Sequence, residues 1–397
     1  MLLLNYEFPP LGGGAGVASA ALARSLAARG VTVDVVTAAV GAAPECVRWG
    51  RRLAVYRVAT GRTRLHQASV GDAARYLAAA LPLVRRLARR HRYDVAHCFF
   101  SLPTGVLLPV GGLGAARTVV SLRGSDVPGY DRANATVERL HRVLRPLTRH
   151  LWRRSDRVVT VCRALGELAR ETWPALRYDV VRNGVDLALF RPPVPPRAPR
   201  VDRVHCLAVA RLVARKGQAD LLRAWTLLER GRFTLELVGR GADEAELRAL
   251  AAALGIADEV RFTGVLSHRE LAERYRAADL FTLVPYDEAF GNVFAEALAA
   301  GLPIVGSDVG GIPELVTDGV HGTLLAPGDP AAIAAAIRAL ADDPGRRAAM
   351  AARNRRHAEA TLGWDVVTGQ YLALYDELLH GRAPRLSPVV PRSVEVP

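Results

Sequence analysis

Lysine is all but absent from this 397-residue chain: of its 53 basic residues, only Lys216 is not an arginine. The two are not equivalent at a crowded phosphate site, because lysine is a compact point charge and arginine a wide fork. The four cysteines (Cys46, Cys98, Cys162, Cys206) are scattered and have no metal-type spacing. Cys98 and Cys206 fall in apolar, strand-like runs and read as buried thiols, which suits a reducing compartment. No Asp-X-Asp motif and no His/Cys cluster offers a metal site. No apolar run reaches the roughly 20 residues of a membrane span. Met1-Leu-Leu-Leu4 lacks a basic leader and breaks at Asn5-Tyr6-Glu7, so it reads as a first strand and not as a signal peptide.

Acidic residues are scarce in one half only. Residues 1–190 hold 28 arginines against 13 acids, whereas residues 191–397 hold 25 basic against 26 acidic residues, so the first half carries the whole excess of the +14 net charge. Arg85-Arg86, Arg89-Arg90-His91-Arg92 and the stretch Arg139–Arg157 form basic patches with helical periodicity. Within the last, Leu140, Val143, Leu144, Leu147 and Leu151 recur at helical spacing while arginines occupy other faces. Three readings fit this surface: solvated charge from an arginine-biased composition, docking on an anionic membrane leaflet, or nucleic-acid binding. No nucleic-acid motif or aromatic interleaving supports the third.

Apolar strand-like runs alternate with helical ones along the chain. Strands are predicted at Met1–Tyr6, Val31–Thr37, Asp94–Cys98, Thr118–Leu122 and Arg157–Val161, with a helix over Val17–Arg29. Regular alternation predicts an α/β fold of doubly wound parallel sheets. A proline-rich segment within 191–200 marks a linker between a first domain (1–190) and a second (201–362). Prolines after Gly381 predict a disordered tail over 381–397.

The densest information lies in Pro285-Tyr-Asp-Glu-Ala-Phe-Gly-Asn-Val-Phe-Ala-Glu296, which runs on to Gly310-Gly-Ile-Pro-Glu314. A strand, an aromatic-glycine turn, a helix, a second strand and a second glycine turn form a βαβ unit. Its loops gather at one sheet edge. The backbone N–H groups of Gly291, Asn292 and Val293 at the helix start suit phosphates. Glu296 inside the helix can accept both hydroxyls of a ribose, and Glu288 before it those of a second sugar. Ribose, phosphates and a second sugar together describe a nucleotide sugar. The N-terminal Gly12-Gly13-Gly14-Ala15-Gly16 lets backbone approach a ligand closely. It departs from the dinucleotide fingerprint, because Val17 stands at the place of the third glycine, which tells against a nicotinamide enzyme.

Together with Arg211 and Lys216, Gly239-Arg240-Gly241, Val260-Arg-Phe-Thr-Gly264 and Asn183-Gly-Val-Asp186, these motifs resemble the family 4 glycosyltransferases with the two-domain GT-B fold. The resemblance spans about residues 3–380 and is densest over 205–320. It implies a retaining glycosyltransferase (hexosyltransferase) that uses a nucleoside-diphosphate sugar, with no cofactor and no obligatory metal. Arg211 and Lys216 would stabilise the departing diphosphate and Glu288 would orient the donor sugar. Gly239, Arg240, Val265, Leu266, Phe290 and the Gly291–Val293 turn would surround the donor. Gly13, Gly14 and Gly16 would face the phosphates and acceptor. His97 stands in the run Asp94-Val-Ala-His97-Cys98-Phe99, where many members carry His-X-His. Because Phe99 fills the second place, His97 is either catalytic or the structural first histidine. Arg123 and Asp126 are candidate acceptor contacts. A helix crossing back to the first domain is expected over 363–380. The acceptor is either a lipid-linked glycan or a small molecule, at a cytoplasmic site with attachment to the inner membrane face left open. A nucleotide-sugar epimerase on the same fold and a basic nucleic-acid-binding protein are the alternatives.

Overall fold

A computed structural model describes residues 1–65, 68–132, 134–195, 200 and 202–381. Residues 196–199 of the expected linker, and the expected tail from 382 onward, lie outside the described residues. The strands gather in two sheets. The first contains β1 (Leu2–Leu4), β2 (Val33–Ala38), β3 (Glu45–Arg48), β4 (Leu53–Val58), β5 (Val95–Phe99), β6 (Arg117–Leu122), β7 (Arg157–Thr160) and β8 (Asp179–Val180). Their spatial order is β3-β4-β2-β1-β5-β6-β7-β8, and only the β3–β4 pair is antiparallel. The second contains β9 (Val204–Val209), β10 (Phe233–Val238), β11 (Val260–Gly264), β12 (Leu280–Leu283), β13 (Ile304–Ser307) and β14 (Gly322–Leu325), in the order β11-β10-β9-β12-β13-β14.

Both sheets are parallel at their centres, so helices must cover both faces and the central strands read as unbroken apolar runs. Leu2, Leu3 and Leu4 are fully buried for this reason. One face of the first sheet carries the helices Gly14–Ala28 and Trp364–His380, packed through Leu22, Leu26, Val367, Tyr371 and Tyr375. The other carries Val70–Arg90, Leu107–Val110 and Ala135–Arg154, packed through Tyr76, Val84, Leu87, Leu107 and Trp152. In each sheet the chain reverses direction beside its first strand, between β1 and β5 and between β9 and β12. The crevice beyond the strand ends at such a switch point is where open α/β sheets bind ligands.

Two segments connect the halves and run side by side. Val185 N–H donates to the Leu362 carbonyl at 2.8 Å, and the Trp364 indole lies against Gly184. The predicted strands appear within two residues of their expected ends. The β3–β4 hairpin was not predicted. The first helix begins at Gly14, three residues earlier than expected, so Gly14 and Gly16 form its first turn and not a preceding loop.

Candidate active site

Two loops of the second sheet build one wall. After β9 the chain turns through Arg211 to a 3-10 turn, Ala214–Lys216, and Gln218 Nε2 donates to the Arg211 carbonyl at 2.8 Å. The turn of Gly239 lies directly on this loop. A Cβ there would stand 1.9 Å from the Ala210 carbonyl oxygen, so no other residue fits without moving Arg211.

After β12 the chain turns through Glu288 into the helix Asn292–Ala299. Gly291 caps the helix in the left-handed region, at φ 76°. First-turn N–H groups have no acceptor within their own helix and carry the positive end of its dipole, so an anion is favoured there. Gly310 packs on the back of Glu288, where an added Cβ would be 2.0 Å from the Glu288 carbonyl oxygen. Lys216 Nζ donates to Glu288 Oε2 at 2.6 Å, and both side chains are largely buried. An ammonium has three N–H groups, so two remain to meet phosphate oxygens.

Glu296 lies one turn behind the wall that ends at Val293. The Tyr275 hydroxyl donates to its Oε2 at 2.9 Å. Burial pushes the Glu296 carboxyl up to about 7.

The opposite wall comes from the first sheet. Gly13 and Gly14 face the turn at Gly291, and Asn292 Nδ2 donates to the Gly14 carbonyl at 3.2 Å. From there a polar chain crosses the cleft. Asn183 Nδ2 donates to Asn292 Oδ1 at 2.9 Å, Arg123 Nη1 donates to Asn183 Oδ1 at 2.7 Å, and Arg123 Nη2 donates to the Tyr371 hydroxyl at 3.0 Å. The Arg123 guanidinium also sits 3.8 Å over the Phe99 ring. Between the walls lies a cleft of about 1440 Å³.

Arg211, Lys216, Glu288, Gly239 and Arg240 line it, as do Val265, Leu266, Phe290, Gly291, Asn292, Val293, Gly13, Gly14 and Arg123. Four expected residues do not, and one of them is Glu296, which stands one turn behind the wall. His97 is fully buried, with Nδ1 2.7 Å from the Tyr375 hydroxyl and Nε2 2.6 Å from Ser121 Oγ. Burial pushes its pKa well below the ordinary histidine range, so the ring is neutral and ties the crossing helix to the sheet. Of its two expected readings, catalytic or structural, this placement fits the structural one. Asp126 is withdrawn as an acceptor contact, because its buried carboxylate accepts from the N–H groups of Ser101, Arg123 and Gly124 and holds that loop. Gly16 is buried against the Leu11 carbonyl and does not reach the cleft.

The structure adds two residues that the sequence did not single out. Glu7 lines the cleft beside the glycine loop, and its carboxyl is pushed up by burial against the opposing pull of Arg62 and the Gly13 N–H. A carboxylate in the short segment between the first strand and the glycine loop is the sequence signal for it. The Tyr130 hydroxyl accepts from the Ala289 N–H at 3.1 Å across the cleft. No local pattern marked it.

Family profiles match both halves: one described as "Glycosyltransferase Family 4" over residues 12–189, and one described as "Glycosyl transferases group 1" over 197–357. The D-inositol 3-phosphate glycosyltransferase of Streptomyces scabiei is 32% identical over 402 residues, covering 93% of this chain and 87% of that protein. Its counterpart in Streptomyces avermitilis is 37% identical over 227 residues, covering 53% of this chain and 49% of that protein. Over the first relatives matched, the chain spans about half of the curated proteins' length. Sucrose-phosphate synthase from Thermosynechococcus elongatus superposes with a TM-score of 0.82 at 23% identity, covering 96% of this chain and 99% of that one. Anabaena HepE in complex with UDP-glucose superposes with a TM-score of 0.71 at 21% identity, covering 96% and 100%. The chain belongs to the family 4 glycosyltransferases and carries their two-domain GT-B fold.

Proposed function

We propose that this chain transfers a sugar from a nucleoside-diphosphate sugar to a hydroxyl acceptor, with retention at the anomeric carbon and without an obligatory metal. The observation that carries this reading is the Lys216–Glu288 pair set beside the helix start at Gly291. It puts fixed positive potential and a sugar-binding carboxylate against one another in a cleft of donor size.

In the transfer, the acceptor oxygen bonds to the anomeric carbon and the bond from that carbon to the terminal phosphate oxygen breaks. The acceptor proton passes to the departing diphosphate. Arg211, Lys216 and the N–H groups of Gly291–Val293 hold the charge that develops there. Glu288 accepts from the sugar hydroxyls and orients the ring. Glu296 accepts from the ribose, after its carboxyl ionises. Val265, Leu266 and Phe290 supply apolar surface for the base. The acceptor enters from the first domain, past Glu7 and Arg123. A lipid-linked glycan is favoured over a small molecule by the arginine-rich surface beside that entrance. The enzyme would then work at the inner face of the plasma membrane.

The test is thermal stabilisation by UDP, GDP, ADP and their sugar conjugates, with magnesium and with a chelator. Stabilisation by one nucleotide class, unchanged by the chelator and lost in Glu296→Ala, is the expected result. A folded protein that none of them stabilises would overturn the reading. Acceptor-free inversion of the sugar would replace transfer by epimerisation.

A further inference from the structure

The outer face of the first domain's helix layer combines two features seldom found together. On the helix Ala135–Arg154 the buried residues are His141, Thr148, Leu151 and Trp152. Most of the regularly spaced apolar residues are therefore left outside. Val143 is 74% exposed, Leu140 37% and Leu147 36%. At 3.6 residues per turn these three fall within about 60° of arc. Arg139, Arg142, Arg153 and Arg154 are exposed beside them.

Two other elements of the same helix layer also expose apolar and basic side chains. Val110 is exposed, and its carbonyl accepts from Arg85 Nε at 3.0 Å. Beyond it Arg86, Arg89 and Arg90 are exposed on the helix Val70–Arg90. The only acids on the two long helices are Asp72 and Glu138, both in first turns.

Solvated charge alone does not account for valine and leucine at the centre of such a face. Nucleic acid would use the arginines and leave the apolar stripe idle. A second copy of the chain would bring like charge against like charge. An anionic bilayer answers both features, because apolar side chains enter the headgroup–acyl boundary while arginines meet lipid phosphates.

We propose that this face docks on an anionic membrane leaflet, with Val143, Leu140 and Leu147 inserted and Arg139, Arg142, Arg153 and Arg154 on the headgroups. The N-terminal ends of both long helices open on the cleft, which Asp72, Arg75, Asp131 and Asn134 line. Docking would therefore set the acceptor entrance beside the lipid surface. That last consequence rests on the transferase reading, while the docking itself does not.

The experiment is flotation of the full chain with phosphatidylcholine vesicles that contain either no anionic lipid or about 30% phosphatidylglycerol. Binding to the anionic vesicles only, weakened at least about tenfold by raising the salt, is expected. The pair Val143→Asp/Leu147→Asp and the triple Arg139→Gln/Arg142→Gln/Arg153→Gln should each lower binding at least about tenfold. Both variants should keep the thermal stabilisation by nucleotide seen in the unchanged protein, which separates this test from the donor reading. No binding at low salt would overturn the proposal. So would binding that both variants leave intact, or capture of a DNA duplex or self-association that the same variants abolish.

Discussion

The two sheets follow the same βα rule, yet their cleft edges are made from different materials. The second is backbone against backbone: Cβ atoms at Gly239 and Gly310 would stand 1.9 and 2.0 Å from carbonyl oxygens. On the first, Gly13 has nothing within 4 Å of where its Cβ would be, and the wall consists largely of side chains such as Glu7, Arg123 and Tyr130. A diphosphate presents the same shape in every donor, so a wall without slack suits it. A side-chain wall can be refitted to a different acceptor without rebuilding the sheet.

The largest effect should come from breaking the tight wall. Gly310→Ala forces a side chain into contact with the Glu288 carbonyl at a φ of 54°, and should cost about 3 kcal/mol or more in chemical unfolding. Gly13→Ala should stay within about 0.5 kcal/mol of the unchanged protein. Equal losses for the two would erase the contrast.

Next in size is Lys216→Ala, which should lower transfer on the order of 100-fold or more while the fold persists. Lys216→Arg should not restore it, because a guanidinium fork does not fit a pocket already closed by Glu288. Full activity of the arginine variant would remove the case for a point charge.

A smaller effect is expected from His97→Phe, which leaves the Ser121 and Tyr375 hydroxyls without their partner and should cost about 2 kcal/mol of stability. Turnover per folded molecule should be preserved. A turnover loss beyond about tenfold in folded protein would return His97 to the chemistry.

The last is a change in pH dependence. Glu296 holds its proton up to about 7 in the folded chain against an ordinary value of 4.5. The stability this gives is complete below the ordinary value and is lost as pH rises through about 7. Glu296→Gln should flatten that decline, and nucleotide affinity in the unchanged protein should rise over the same window as the carboxylate forms. An unchanged slope in the glutamine variant would contradict the burial of Glu296.

The same contrast explains what could be read from sequence. Strand, turn, helix and second glycine turn lie within about 30 consecutive residues around Glu288, so their geometry follows from local rules about glycine and helix starts. His97 could not be resolved that way, because its partners are Ser121 and, 278 residues along the chain, Tyr375. The spacing of Leu140, Val143 and Leu147 marks a stripe, but periodicity does not say which stripe faces inward. Trp152, His141 and Thr148 fill the space against the sheet instead. The β3–β4 hairpin escaped because its first strand is four exposed or half-exposed residues, Glu45–Arg48, with no apolar alternation to detect.

The lone lysine has a practical use. Besides the N-terminal amine, Lys216 is the only aliphatic amine in the chain. Reductive methylation with isotope-labelled formaldehyde would give a spectrum with two resonances, one of them from the ammonium that faces Glu288. Its chemical shift would report changes around that ammonium when a donor is added, and Lys216→Ala would identify which of the two resonances it is.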